Sequence, residues 1–312
     1  MKISQVTVFG GGGFIGRYVV QALIKAGVRV RVAERNPKRA FFLKGGATLG
    51  QITFAAADVT RPETLAAALT GSDAVINLVG SFATMDAVQV AGAANIAAAA
   101  KAAGVSALVH MSAIGADPLS PSAYGRTKGE GEAAVLAAFP AATILRPSIV
   151  FGREDQFINR FAGLISRLPV VPIIRGDAKF QPVFVGDVAR ALVAVLEAPA
   201  AVAGKTLSLG GPKIMSMRAI NAWISAATGR SPMLVEVPDV VAGAMARLTG
   251  WLPFAPMSYD QWLMLQGDNV VPPGGDGLAQ LGLEATPLEA VAPGWLTIYR
   301  RHGRFGTKAL TQ

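Results

Sequence analysis

The chain of 312 residues has no cysteine, which excludes disulfides, thiol catalysis and thiolate-held clusters. It has only two histidines, His110 and His302, too widely separated to suggest a histidine zinc site. Charged residues make up 16% and hydrophobic residues 52%, a balance that excludes a disordered chain. Long apolar runs are nevertheless missing. The longest stretch without Asp, Glu, Lys or Arg is 15 residues, from Ala102 to Ala116, and it contains His110 and two glycines. A bilayer-spanning helix needs about 20 predominantly apolar residues, so none is expected. The first strand candidate begins at Val6, which leaves no secretory or transit segment to expect. A soluble or peripheral membrane protein on the cytoplasmic side of a prokaryote is the expectation.

Acids are scarce at both ends. The first 44 residues carry nine basic residues (Lys2, Arg17, Lys25, Arg29, Arg31, Arg35, Lys38, Arg39 and Lys44) against one acid, Glu34. Beyond Glu289 come Arg300, Arg301, Arg304 and Lys308 with no acid, and the formal net charge is +9. Such asymmetry points to anionic partners: a phosphorylated cofactor, anionic lipid headgroups or an acidic protein face. No basic stretch interleaves with aromatics as a nucleic-acid surface would, so nucleic acid is not an expected partner. For the scattered arginines, solubility is reason enough.

Glycine is concentrated where it matters most. Gly10-Gly11-Gly12-Gly13-Phe14-Ile15-Gly16 follows the apolar run Val6-Thr7-Val8-Phe9 and leads into an amphipathic pattern ending near Lys25. A strand, a G-x-x-G-x-x-G turn and a helix form a device for dinucleotide phosphates. Gly10 permits the tight turn, Gly13 admits a pyrophosphate to the backbone, and Gly16 lets the helix press on the strand. The backbone of Gly12, Phe14 and Ile15 adds N–H groups at a helix N-terminus, where the dipole favours anions. Four consecutive glycines alone would fit a flexible loop; the strand before them and the helix after them decide for nucleotide.

Strand patterns at 6–9, 28–33, 52–55, 74–78, 108–112 and 143–145 alternate with helical patterns at 14–25, 63–69, 86–103 and 123–138. Repeated units of this kind build an α/β fold, a doubly wound parallel Rossmann sheet with ligand at the carboxyl ends of its strands. Residues 1–150 form the expected dinucleotide-binding core, with 180–212 returning to it. Residues 151–179 and 213–312 make a smaller α/β lobe and a basic tail. After the second strand, Glu34 suits a ribose 2′-hydroxyl and hence NADH. Arg35, backed by Lys38 and Arg39, suits a 2′-phosphate and favours NADPH. Asp58-Val59 follows the third strand at the adenine edge, and Leu78-Val79-Gly80 follows the fourth as a wall of small residues.

Tyr124 and Lys128 stand at i and i+4, on one helix face. Lys128 can bind a nicotinamide ribose while its charge lowers the phenol pKa, so that Tyr124 works as acid or base. Met111 and Ser112 close the fifth strand, twelve positions before the tyrosine in the case of Ser112. A Y-x-x-x-K pair by itself is weak; the register with Ser112 makes Ser112, Tyr124 and Lys128 candidates for proton transfer.

Together with Leu145-Arg146-Pro147-Ser148-Ile149-Val150-Phe151-Gly152 and Gln181-Pro182-Val183-Phe184-Val185-Gly186-Asp187-Val188-Ala189, these motifs resemble the short-chain dehydrogenase/reductase superfamily in its extended or atypical branch. The resemblance implies that Pro147, Ser148 and Ile149 line the nicotinamide. Longer strings are more specific: Ser112-Ala113-Ile114-Gly115-Ala116-Asp117-Pro118, Glu154-Asp155-Gln156-Phe157-Ile158-Asn159-Arg160-Phe161, Pro256-Met257-Ser258-Tyr259-Asp260-Gln261, Asp268-Asn269-Val270 and Tyr299-Arg300-Arg301. They are similar to the dehydrogenase-like accessory subunits of respiratory complex I, the NADH:ubiquinone oxidoreductase. That likeness implies a tightly held NADPH, complex I subunits as partners, and a peripheral place on the inner membrane near the quinone-binding region. The implied role is structural or in assembly, without turnover. Glu34 departs from the plainly cationic turn this likeness implies. The other reading is a free-standing NADP(H)-dependent reductase, epimerase or isomerase using Ser112, Tyr124 and Lys128.

Two stretches read in two ways. From Asp239 to Gln266 the chain is rich in Met, Trp and Leu, as lobe core or as a partner- or membrane-facing patch. From Trp295 to Lys308, aromatics mix with basic residues, suiting an anionic bilayer interface, a protein groove or a solvated terminus.

Overall fold

The computed structural model describes residues 3–252 and 257–303. They divide between two compact units. One holds the described part of Met1–Pro147 with Val185–Leu209 and Pro272–Glu284; the other holds Ser148–Phe184, Gly210–Val271 and the described part of Ala285–Gln312.

The first unit is built on a seven-stranded sheet in which every pair is parallel. Six strands come in chain order: β1 (Gln5–Phe9), β2 (Arg29–Glu34), β3 (Ile52–Ala56), β4 (Ala74–Asn77), β5 (Ala107–Met111) and β6 (Thr143–Pro147). The seventh, Thr206–Leu209, lies at the edge beside β6, and the order across the sheet is Thr206–Leu209, β6, β5, β4, β1, β2, β3. Val6, Val8, Val75, Ile76, Leu108 and Val109 are fully buried, as strands covered on both faces require. Helices α1 (Phe14–Lys25), α2 (Leu65–Leu69), α3 (Gly92–Ala102) and α4 (Ala123–Ala138) connect them, and helix Val185–Glu197 packs on α1. Chain order reverses between β1 and β4, which opens the crevice where ligands of doubly wound sheets sit. The expected Rossmann architecture is therefore present.

Two helical expectations change in detail. The 63–69 pattern opens as a 3₁₀ turn, Pro62–Thr64, before α2. The 86–103 pattern splits into wide π turns, Asp86–Ala91, followed by α3. Close packing accounts for the split: a Cβ built on Gly131 of α4 would lie 2.2 Å from the Gln89 carbonyl oxygen, so the π turns and α4 touch backbone to backbone. Helix α4 begins where Ser122 Oγ accepts the Gly125 N–H at 3.2 Å, and ends before Phe139-Pro140.

The second unit gathers helices Ile158–Arg167 and Met217–Thr228 with the parallel strands Val170–Ile174 and Met233–Val237. Its core includes Phe151, Ile158, Ile173, Ile220 and Leu296. Phe157 meets Phe161 edge-on at 5.2 Å within it. Helix Asp239–Thr249 buries only Ala242, Gly243 and Ala246. Val240 (84% exposed), Val241, Met245 and Leu248 (74%) recur at helical spacing on its open side, and Trp251 follows them into solvent. Trp262, from the same stretch, is instead packed on Gly243 and donates its indole N–H to Asp239 at 3.0 Å. Trp295 and Tyr299 pack against the core of the unit, with Tyr299 donating its hydroxyl to Asn159 at 3.1 Å. The tail reading is corrected for these two aromatics, which pack inward; Phe254, Pro256, Arg304, Phe305 and Lys308 lie outside the described residues. No helix among the described residues is long and apolar enough to cross a membrane.

Candidate dinucleotide site

The glycine turn joins β1 to α1 at the crevice. Gly10 sits at φ +80°, a left-handed conformation that suits glycine, and Gly13 donates its N–H back to the Gly10 carbonyl at 3.1 Å. A Cβ on Gly16 would stand 2.3 Å from that same carbonyl, so only glycine lets α1 close on the turn. Beside it opens a cavity of about 260 Å³. Of the expected residues, Gly10, Gly13, Arg35, Asp58, Val59, Leu78, Val79 and Gly80 line it, as does Glu34. Ser81, Thr84 and Val88 line it as well; sequence reasoning stopped at the end of β4 and missed them. Gly12, Phe14, Ile15, Gly16 and the exposed Lys38 are not in its wall.

Two acids at this end are already engaged. Glu34 accepts the Gly12 N–H at 2.8 Å, so its carboxylate braces the glycine turn from below β2. Asp58 accepts the Thr60 N–H at 3.0 Å and the Thr60 hydroxyl at 2.8 Å. Those two bonds hold its carboxyl below the ordinary value, aided by Arg35 and Arg61. Arg35 extends from the end of β2 on the rim of the cavity.

Behind the wall lies a buried polar pair. Asn77 Oδ1 accepts the Val79 N–H at 3.0 Å, and Asn77 Nδ2 donates to His110 Nδ1 at 3.0 Å. That pattern puts the imidazole proton on Nε2, which is buried and has no hydrogen-bond partner among the described residues. Burial, with the Lys128 charge assisting, pushes the His110 pKa down to about 3. Through Asn77, His110 steadies Val79 in the cavity wall, a role its isolated position in the sequence did not signal.

The chemical residues sit on β5 and α4. Lys128 Nζ donates to the Met111 carbonyl at 3.0 Å and stands 6.0 Å from the Tyr124 ring centre. Burial lowers the Lys128 pKa to about 8, against the opposing pull of Glu132. Burial also raises the Tyr124 phenol to about 12. The expectation that Lys128 lowers the phenol is therefore corrected: desolvation sets the direction, and the amine is tied to the Met111 carbonyl. Ser112 Oγ is buried without a hydrogen-bond partner among the described residues. A Cβ on Gly80 would come within 4.0 Å of Lys128 Nζ, so the rim of the cavity reaches these groups, although Met111, Ser112, Tyr124 and Lys128 do not line it. Over Tyr124 lies Phe82, ring centres 4.9 Å apart and planes 15° from parallel.

Three further expected residues stand at or just past the end of β6. Pro147 ends β6, and its carbonyl accepts the Ile114 N–H at 3.0 Å. Ser148 and Ile149 belong to the second unit, where Asn269 Oδ1 accepts the Ser148 hydroxyl at 2.6 Å and the Ile149 N–H at 3.1 Å. A nicotinamide dinucleotide fits the residues present. The first turn of α1 offers N–H groups to a pyrophosphate, those of Gly12 and Gly13 being taken by Glu34 and the Gly10 carbonyl; Arg35 lines the cavity, and Ser112 Oγ has no hydrogen-bond partner among the described residues.

A parallel doubly wound sheet with a glycine turn at its switch point, and Ser112, Tyr124 and Lys128 on the adjoining strand and helix, defines a Rossmann protein of the dehydrogenase and epimerase class. Residues 6–210 match the NAD dependent epimerase/dehydratase family. Mouse (Mus musculus) mitochondrial NADH dehydrogenase (ubiquinone) 1 alpha subcomplex subunit 9 is 35% identical over 95% of this chain and 80% of its own length. The mitochondrial NADH-ubiquinone oxidoreductase 40 kDa subunit of Neurospora crassa is 29% identical over 98% of this chain and 82% of its own length. In fold, an NADPH-dependent quinone oxidoreductase from Escherichia coli, solved with NADPH, superposes with a TM-score of 0.76 at 23% identity, covering 92% of this chain and 98% of that one. The chain belongs to the NAD dependent epimerase/dehydratase family, and within it to the group of the two NADH dehydrogenase subunits just described.

Proposed function

We propose that this chain is an NAD(P)H-binding accessory subunit of respiratory complex I. It sits peripherally on the cytoplasmic side of a prokaryotic inner membrane, holds NADPH, and supports assembly or stability near the quinone-binding region. The observation that carries this reading is the likeness to mitochondrial subunit 9 across 95% of the chain, well beyond the nucleotide half. NADPH over NADH is supported by the division of labour at β2, where Glu34 is spent on Gly12 while Arg35 is left to face a 2′-phosphate. Peripheral attachment is supported by the open apolar side of helix Asp239–Thr249 with Trp251 beside it and Arg247 among its exposed residues. A structural rather than catalytic use of the nucleotide is supported by a phenol at about 12 and an amine tied to Met111, a poor proton-transfer pair near neutrality. Nucleotide at a hundredfold excess over its Kd adds about 2.7 kcal/mol to the stability of whatever holds it.

The second reading, a free-standing NADP(H)-dependent reductase, epimerase or isomerase, is favoured by one observation: Ser112, Tyr124 and Lys128 are all present, and the serine hydroxyl has no hydrogen-bond partner among the described residues. Two measurements on the native protein decide. Nucleotide extracted from it should be NADPH, and the chain should co-migrate with the respiratory enzyme on a native gel in mild detergent. Recovery only as a free species overturns the subunit reading, and an empty site overturns the nucleotide.

A further inference from the structure

Phe82 is a large side chain at the chemical end that neither the fold nor nucleotide binding accounts for. It is 63% exposed, an unfavourable place for a phenyl group unless the surface it covers matters. It is also held. Gln89 Nε2 donates to the Ser81 carbonyl at 2.6 Å, and Ser81 Oγ accepts the N–H groups of Ala83 at 3.2 Å and Thr84 at 3.1 Å. Gln89 is itself buried and accepts the Thr127 hydroxyl of α4 at 3.3 Å. The helix that presents Tyr124 thus fixes the segment that presents Phe82. The cavity agrees: its wall runs along Gly80, Ser81, Thr84 and Val88 and stops short of Ser112, Tyr124 and Lys128.

We propose that Phe82 is a plug, its ring occupying the place on the Tyr124 phenol where an acceptor molecule would have to lie, so that the site retains its nucleotide without turning it over. The inference rests on the NAD(P)H-binding reading above. Reduction of a carbonyl here needs hydride delivered from the nicotinamide to the carbonyl carbon and a proton from the Tyr124 hydroxyl to the carbonyl oxygen, with the phenolate then reprotonated from water. A ring stacked on the phenol denies the acceptor the second contact. It also covers one face of the phenol ring, and burial is what raises the phenol pKa.

The test is Phe82→Ala in the full chain, with Phe82→Leu as a variant that keeps an apolar side chain. The first readout is nitration of Tyr124 by tetranitromethane, mapped by peptide mass spectrometry, which reports access to the phenolate. Each unit by which the phenol pKa falls raises the phenolate fraction about tenfold, so nitration should rise by that order in Phe82→Ala and less in Phe82→Leu. The second readout is NADPH oxidation with benzaldehyde, whose ring matches the one removed. It should appear in Phe82→Ala, be absent from the natural chain, and vanish in Phe82→Ala/Tyr124→Phe, with nucleotide content unchanged throughout. Unchanged nitration, nitration without oxidation, equal oxidation by the natural chain, or loss of nucleotide from Phe82→Ala each overturns the plug. Purification of the natural chain without nucleotide is a separate failure, of the binding reading, and the nitration arm still decides the placement of Phe82.

Discussion

Glu34 and Arg35 are neighbours in sequence, but Glu34 is the last residue of β2 and Arg35 the first beyond it, and they are sent to different work. The acid turns under the glycine turn to meet Gly12, while the arginine stays on the rim. A charge-assisted guanidinium–phosphate contact contributes about 1.5–3 kcal/mol. Arg35→Ala should therefore weaken NADPH by roughly ten- to a hundredfold and leave NADH nearly untouched, as read by titration calorimetry with each nucleotide. Equal losses would mean that Glu34 sets the preference. His110 makes a second residue-scale test. Its ordinary pKa of 6.5 falls to about 3 in the fold, so between those values the unfolded chain takes up a proton that the folded chain refuses. Stability should fall as pH drops through that window, by at most about 1.4 kcal/mol per unit. Urea midpoints measured from pH 7 to 5, above the range of the carboxylates, should decline in the natural chain and stay flatter in His110→Gln. The sequence made Gly10 and Gly16 legible, because their roles follow from neighbours a few positions away. It could not disclose the Tyr124 phenol at about 12 or the Glu34–Gly12 bond, since both depend on what the folded chain brings alongside.

Among the elements, α1 and α4 span the residues expected of them, α1 on its apolar stripe and α4 between the Ser122 cap and Phe139-Pro140. The 86–103 pattern did not betray its π turns. Their cause lies 40 positions on, in a glycine of α4 that lets the Gln89 carbonyl approach. Helix Asp239–Thr249 was ambiguous for a related reason: valine, methionine and leucine at helical spacing look alike whether they face a core or face outward. The structure turns Val240 and Leu248 outward, and the proposed attachment follows from that side. Replacing both with Asp should shift the chain from the membrane fraction to the soluble fraction on gentle lysis. Its thermal midpoint should change by no more than a degree or two, since single exposed positions carry within about 0.5 kcal/mol each. Retention on the membrane with both aspartates in place would remove this helix from the attachment surface.

On the scale of the whole molecule, residues from three separate stretches make up the nucleotide half. Thr206–Leu209 supplies the outermost strand beside β6, and Asp276 then bridges to Ser208 while Gly277 packs against Leu207. The chain therefore cannot complete its oldest-synthesised half until all but about its last tenth has been made. As the ribosome works, β6 keeps a bare margin through translation of the 58 codons between Pro147 and Thr206, exposed to mispairing or to chaperones. A message cut short anywhere before the codon for Glu284 would leave unfinished not an appendage but the nucleotide half itself.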